Sequence, residues 1–75
     1  MPQKSSTPIP IAPVERILTE SGAKRVSAAG AEKLAQELSN IATNVAESAV
    51  KIAKHSGRKT VKARDIRLAF ETSNF

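Results

Sequence analysis

The chain has 75 residues, which allow a single domain, and a domain this small is only marginally stable alone. It contains no cysteine and one histidine, so disulfides and thiolate metal sites are excluded and a zinc site within one chain is not expected. Twelve Lys and Arg against seven Asp and Glu give a net charge of +5, which indicates an acidic partner such as nucleic acid or an anionic membrane. We therefore expect a basic protein that gains stability by oligomerisation.

The first eight residues, rich in Ser, Thr and Pro, predict a disordered leader ahead of one domain over residues 9–75. No apolar run approaches the roughly 18 residues that span a bilayer. The leader also lacks the apolar centre of a signal peptide. We therefore expect an intracellular protein with no membrane partner.

Two helices are predicted in the first three quarters of the chain. A short one over about Ala12–Ser21 ends at Gly22, which suits a left-handed C-terminal cap. Ser27 is a good N-cap for a second helix, and Gly57 ends the run that follows. The second helix therefore has about 28 residues and a length of about 42 Å.

A third short helix is predicted over about Ala63–Thr72, with Ile66, Ala69 and Phe70 on its buried face. Leu68 lies nearly opposite that face, beside Asp65 one turn earlier, which indicates a second contact surface. The short helices, each about 15 Å long, cannot cover the apolar stripe of the long one. We therefore predict an obligate dimer in which two long helices share one core, formed by Leu34, Leu38, Ile41, Val45, Ala49, Ile66 and Phe70.

The positive charge is concentrated at helix ends and loops. Residues 56–67 carry five basic side chains and one acidic one, whereas residues 28–55 are neutral overall. If the long helices pair antiparallel, the first loop of one chain meets the second loop of the other, and basic clusters repeat along one edge. That pattern fits the backbone of a DNA duplex. The chain has no Trp or Tyr and two Phe, so it lacks the stacking platforms that single-strand binders use.

Three segments of the chain resemble the archaeal histones. They are Pro10–Leu18 (PIAPVERIL), Gly22–Ser27 (GAKRVS) and, most strongly, Ala53–Ile66 (AKHSGRKTVKARDI). The resemblance covers about residues 9–72. It implies an all-α histone fold, in which a short, a long and a short helix form a handshake dimer. It also implies that the dimer binds, bends and compacts double-stranded DNA without sequence specificity on the chromosome.

The resemblance also implies roles for particular residues. The DNA-binding residues are expected to be Arg16, Lys24, Arg25, Lys59, Thr60 and Lys62. Arg58 and Asp65 are expected to brace the second loop. Dimers are expected to join through Ile52, His55, Asp65 and Leu68 into longer DNA-bound oligomers, and Gly22 permits close approach in a stack. Gln36 and Asn40 are neutral where relatives often carry charges, which argues against continuous stacking.

Several other functions stay open at this point. A heterodimerising histone-fold subunit of a transcription or chromatin complex, paired with a paralogue, is the main alternative. A sequence-specific helix-turn-helix regulator and a membrane-surface helix are weaker ones, the latter because the long helix carries balanced charge. No base accompanies the Ser and Thr side chains as a nucleophile would require, so we expect neither an enzyme nor a cofactor.

Overall fold

The computed structural model describes residues 8–72, which form three α-helices and no strand. They are α1 (Ile11–Glu20), α2 (Ala28–His55) and α3 (Ala63–Thr72). The all-α prediction is confirmed, and the bounds predicted for the second and third helices agree with the structure. The chain divides after Asn40 into two compact units, residues 1–40 and 41–75. The predicted leader lies mostly outside the described residues.

The first loop, residues 21–27, begins with a glycine cap. Ser21 is the C-cap of α1, with φ −85° and ψ 0°, so this helix ends one residue earlier than predicted. Gly22 follows with φ +115°, and its N–H donates to the carbonyl of Thr19. The Ala23 N–H donates to the carbonyl of Leu18 at 3.1 Å. Together these bonds form a Schellman motif, which satisfies the free carbonyls of the last turn.

The second loop, residues 56–62, begins in the same way. Gly57 has φ +74°, and its N–H donates to the carbonyl of Lys54 at 2.9 Å. The next N–H, of Arg58, donates to the carbonyl of Ala53 at 2.9 Å. The motif reverses the chain within two residues, and it fixes where the Arg58 side chain leaves the backbone.

Replacing Gly57 with alanine is expected to cost about 1–2 kcal/mol of unfolding free energy, because an L residue is strained at positive φ. A Cβ at this position would meet nothing within 4 Å, so the cost is one of backbone conformation and not of collision. Gly57→Asn is the matched control and should cost less, since Asn tolerates the left-handed region. Urea unfolding measures both variants, and equal losses for Ala and Asn would contradict the explanation.

The start of α2 is capped by a side chain. The Ser27 hydroxyl accepts a hydrogen bond from the N–H of Gly30 at 2.9 Å, as an N-cap does for the third helical residue. A Cβ on Gly30 would lie 3.0 Å from that hydroxyl oxygen, closer than side chains normally pack. This close approach accounts for a glycine inside the first turn, which the sequence pattern did not explain.

Residues 8–40 contain one apolar cluster, between α1 and the first part of α2. Val14 of α1 is buried against Ala31 and Ala35 of α2. Larger side chains surround this centre but are only half-buried, and these are Ile9, Ile11, Leu18, Val26, Leu34 and Leu38. The alanines allow α1 to lie close to α2, while Leu34 and Leu38 keep part of their surface outside the cluster.

Residues 41–72 contain a second cluster, between the later part of α2 and α3. Val45 and Ala49 of α2 are buried together with Ala69 of α3, and Ile41 and Ile52 are half-buried against them. The predicted buried face of α3 is corrected by the structure. Only Ala69 of that predicted set is buried, whereas Ile66 is 37% and Phe70 48% exposed in the single chain.

The fully buried apolar residues of the chain are all small. They are Val14, Ala31, Ala35, Val45, Ala49, Ala53 and Ala69. Within residues 8–72, every Leu, Ile and Phe keeps a substantial part of its surface exposed. Burial of such large side chains is the main source of folding free energy. The single chain therefore leaves most of its stabilising surface uncovered.

Candidate nucleic-acid interface

The second loop is held by a buried ion pair. The guanidinium of Arg58 donates from both terminal nitrogens to the two carboxylate oxygens of Asp65, each at 2.8 Å. The Asp65 side chain is 1% exposed and that of Arg58 is 24% exposed. This two-pronged, parallel geometry is the strongest arrangement available to an arginine and a carboxylate.

Asp65 also caps α3. Its Oδ2 accepts a hydrogen bond from the backbone N–H of Lys62 at 2.8 Å, which satisfies a free donor at the start of the helix. The Arg58 hydrogen bonds and the Lys62 N–H together hold the pKa of Asp65 far below its ordinary value of 3.8, although burial opposes this. The same pair raises the pKa of Arg58. Asp65 is therefore ionised and fully engaged at neutral pH.

The position of Asp65 corrects the sequence interpretation. The periodicity placed Asp65 beside Leu68 on an outward face, yet the structure buries Asp65 and exposes Leu68 by 45%. The physical reason is the pair with Arg58, which lies seven residues earlier and draws the carboxylate inward. The predicted partnership of Arg58 and Asp65 is present as a direct contact.

The remaining cations of the second loop point away from the pair. Arg58 also donates to the backbone carbonyl of Thr60 at 3.2 Å, which ties the middle of the loop to the pair. Lys59, Thr60 and Lys62 are exposed. The structure thus brings three predicted DNA-binding residues together on one tethered loop, with no carboxylate left over to neutralise the two lysines.

The first loop carries the other predicted cations. Lys24 and Arg25 are exposed, and so is Arg16 on α1. Arg25 borders a groove of about 500 Å³. Apart from Arg25, the groove is lined by Leu18, Ala23, Val26, Ser27, Gly30, Lys33, Leu34 and Glu37. An uncovered apolar groove beside a basic loop is a feature that periodicity did not reveal.

The residues predicted to join dimers all lie in the second unit, and the structure treats them differently. Ile52 is half-buried, His55 is exposed and Asp65 is buried. Leu68 alone offers a large apolar surface. Gly22, the predicted stacking residue, is exposed in the first loop. Sequence reasoning passed over Ser39, a buried polar residue of α2 for which no pattern gave a signal.

Residues 8–72 hold neither a metal cluster nor a membrane span. No group of three or more His, Asp or Glu side chains in this range is placed to hold a metal ion. None of the helices in it combines the length and apolar character needed to cross a membrane.

Comparison with known proteins agrees with this architecture of a long helix between two short ones. A family model described as histone-like transcription factor (CBF/NF-Y) and archaeal histone matches residues 7–70. The archaeal histone HAN1 of Thermococcus zilligii is 49% identical over 61 residues, which cover 81% of this chain and 91% of that protein. Probable archaeal histone 3 of Methanocaldococcus jannaschii is 46% identical over 61 residues, with the same coverage of both chains.

The chain belongs to the family of histone-like transcription factors and archaeal histones. Its membership confirms the predicted family and the predicted histone fold. It also supports the predicted role as a DNA-binding architectural protein of chromatin. The family description includes transcription factors, but both named relatives are archaeal histones, so the heterodimeric transcription subunit is not the better supported function.

Proposed function

We propose that two copies of this chain form a dimer that binds, bends and compacts double-stranded DNA on the chromosome, without catalysis and without a cofactor. The observation that carries the proposal is the tethered second loop, which keeps Lys59, Thr60 and Lys62 exposed while Asp65 is neutralised by Arg58. Cations on a fixed loop next to a helix start suit phosphate groups. Bending the duplex costs on the order of 1–6 kcal/mol per site, which extra contacts offset.

The dimer follows from the composition of the core. A chain that fully buries only Val and Ala among its described apolar residues needs a second surface to cover its Leu, Ile and Phe side chains. The proposed shared core contains the half-buried Leu34, Leu38 and Ile41 together with the exposed Ile66 and Phe70. Val45 and Ala49, which the sequence also assigned to it, are already buried in the single chain. The groove beside Arg25 is a further apolar surface that such a partner would cover.

The proposed DNA contacts come from both loops. Arg16, Lys24 and Arg25 supply the first set, and the three residues of the second loop supply the other. Pairing the two chains antiparallel sets the first loop of one protomer beside the second loop of its partner. Ile52, His55 and Leu68 join dimers in this proposal, whereas Asp65 acts there only by holding Arg58 and the second loop.

The direct test is a gel shift with random-sequence duplex DNA at several salt concentrations. We expect binding at low salt, without a preferred site, and a linear fall of the logarithm of affinity with that of salt. Failure to bind at low salt would favour the protein-scaffold alternative. Sedimentation of dilute protein tests the dimer, because a stably folded monomer contradicts the shared core.

Arg25→Ala is expected to weaken binding to all duplexes and to make the salt dependence shallower by about 0.9 units, the share of one phosphate contact. Lys33→Ala is the matched control, since Lys33 is an exposed cation of the same unit that pairs with Glu37 at 3.2 Å. The control should leave the slope unchanged. Equal slopes for Arg25→Ala and the unaltered chain would remove Arg25 from the contacts with phosphate.

A further inference from the structure

The α3 helix exposes apolar side chains on two separate faces. Asp65 and Ala69 mark its buried line. Ile66 and Phe70 lie on one side of that line and Leu68 on the other, with Leu68 and Phe70 separated by about 160° around the helix. One partner surface cannot cover both faces of so short a helix. Because Ile66 and Phe70 belong to the proposed dimer core, Leu68 remains for a different partner.

Two arginines flank Leu68. Arg64 lies one turn before it and Arg67 directly precedes it, and both are exposed. We define the Leu68 face as Arg64, Arg67 and Leu68. An exposed leucine beside arginines suits a protein partner, because interface centres are rich in apolar contacts and in Arg. An apolar side chain gains nothing from a phosphate group.

The chain offers little negative charge to balance this face. Asp65 is buried and already holds Arg58 and the Lys62 N–H, so Glu71 is the remaining acid of α3. Residues 51–67 carry seven basic side chains and one acidic one. Two copies that met through their Leu68 faces would bring four arginines against two glutamates, and like charges at a contact favour other partners.

We propose that the Leu68 face binds an acidic protein surface with an apolar centre in preference to a second copy of itself. The inference rests on the proposed function, in which Leu68 joins dimers, and it names the chemistry of the partner. A second protein whose corresponding face carries Asp or Glu satisfies all the arginines and covers the leucine. Charge complementarity of this kind selects partners more than it adds affinity.

The probe is the double variant R64E/R67E, which turns the same face acidic. Both positions are exposed, and a glutamate in the first turn of α3 is favoured by the helix dipole, so the fold is retained. Native mass spectrometry and sedimentation, without DNA, follow three samples: the unaltered chain, the variant, and an equal mixture. We expect dimers in the first two. In the mixture we expect larger assemblies with equal numbers of both chains, which dissociate between about 50 mM and 500 mM salt.

Two controls assign the assemblies to this face. Leu68→Glu in the otherwise unaltered component should abolish them, and Lys33→Glu in place of the acidic probe should not produce them. Assemblies that survive Leu68→Glu, a mixture that stays dimeric, or unaltered chains that assemble as readily alone would each overturn the proposal. A mixture that stays dimeric while R64E/R67E makes the DNA salt dependence shallower by about two units would assign the arginines to DNA instead. DNA binding by the unaltered chain is scored separately, so failure of the proposed function is distinguishable.

Discussion

Arg58→Ala lowers the melting temperature on the order of 10 °C or more, the largest loss expected from any single side chain of the second unit. The substitution leaves the Asp65 carboxylate 1% exposed with one backbone N–H as its remaining partner. An ion taken out of water and then deprived of its counter-ion is strongly destabilising. Thermal unfolding followed by circular dichroism measures the loss.

The chain contains its own control for this result. Lys33 and Glu37 form an ion pair at 3.2 Å with side chains 70% and 55% exposed. Lys33→Ala should lower the melting temperature by no more than about 4 °C, because exposed pairs four residues apart on a helix contribute little. The double replacement R58M/D65L should recover part of the loss by removing both charges. Similar losses for Arg58→Ala and Lys33→Ala would mean that burial of the pair has no energetic effect.

The same pair gives a dependence on pH with a defined sign. The pKa of Asp65 is lowered in the folded chain, so its contribution is present above its ordinary value of 3.8 and is lost as the pH falls below that value. The difference in melting temperature between the unaltered chain and Arg58→Ala should therefore be constant from about pH 8 to pH 5 and should shrink on further acidification. A gap that widens with acid would contradict the assignment.

Ala49→Leu is the second large effect, with an expected cost of about 1–3 kcal/mol in urea unfolding. Ala49 is 0% exposed and lies in the cluster that includes Ala69, also 0% exposed, where α3 packs on α2. A leucine there forces the helices apart, since close-packed interiors have no room for three extra carbons.

Ala29→Leu is the matched substitution, because Ala29 belongs to the same helix and is exposed. It should change the unfolding free energy by no more than about 0.5 kcal/mol. If Ala49→Leu were as harmless as this control, the close approach of α3 to α2 would be wrong.

Much of the fold was predictable because local signals fix it. Gly22 and Gly57 adopt the positive φ that ends a helix, and Ser27 supplies the hydroxyl that begins one. Periodicity between such signals left little freedom in the helix bounds. The resemblance to archaeal histones supplied the pairing of Arg58 with Asp65, which spacing alone does not specify.

Burial was harder to predict than helix position. Periodicity groups Ile66 and Phe70 with Ala69, yet it does not distinguish a face covered by the chain itself from one that awaits a partner. Asp65 appeared outward because a charge was assumed to prefer solvent, while its partner lies seven residues away in a different conformation of the chain. Helix contacts formed by alanine were also undervalued, since small residues give a weak hydrophobic signal.

The bond from Arg58 to the Thr60 carbonyl, together with the Lys62 N–H held by Asp65, gives the second loop its shape when the chain folds. A preformed loop has little conformational entropy left to lose on docking, so more of each lysine–phosphate attraction is retained as net affinity. Loosening this tether would penalise association even if every cation that touches the duplex were still in place.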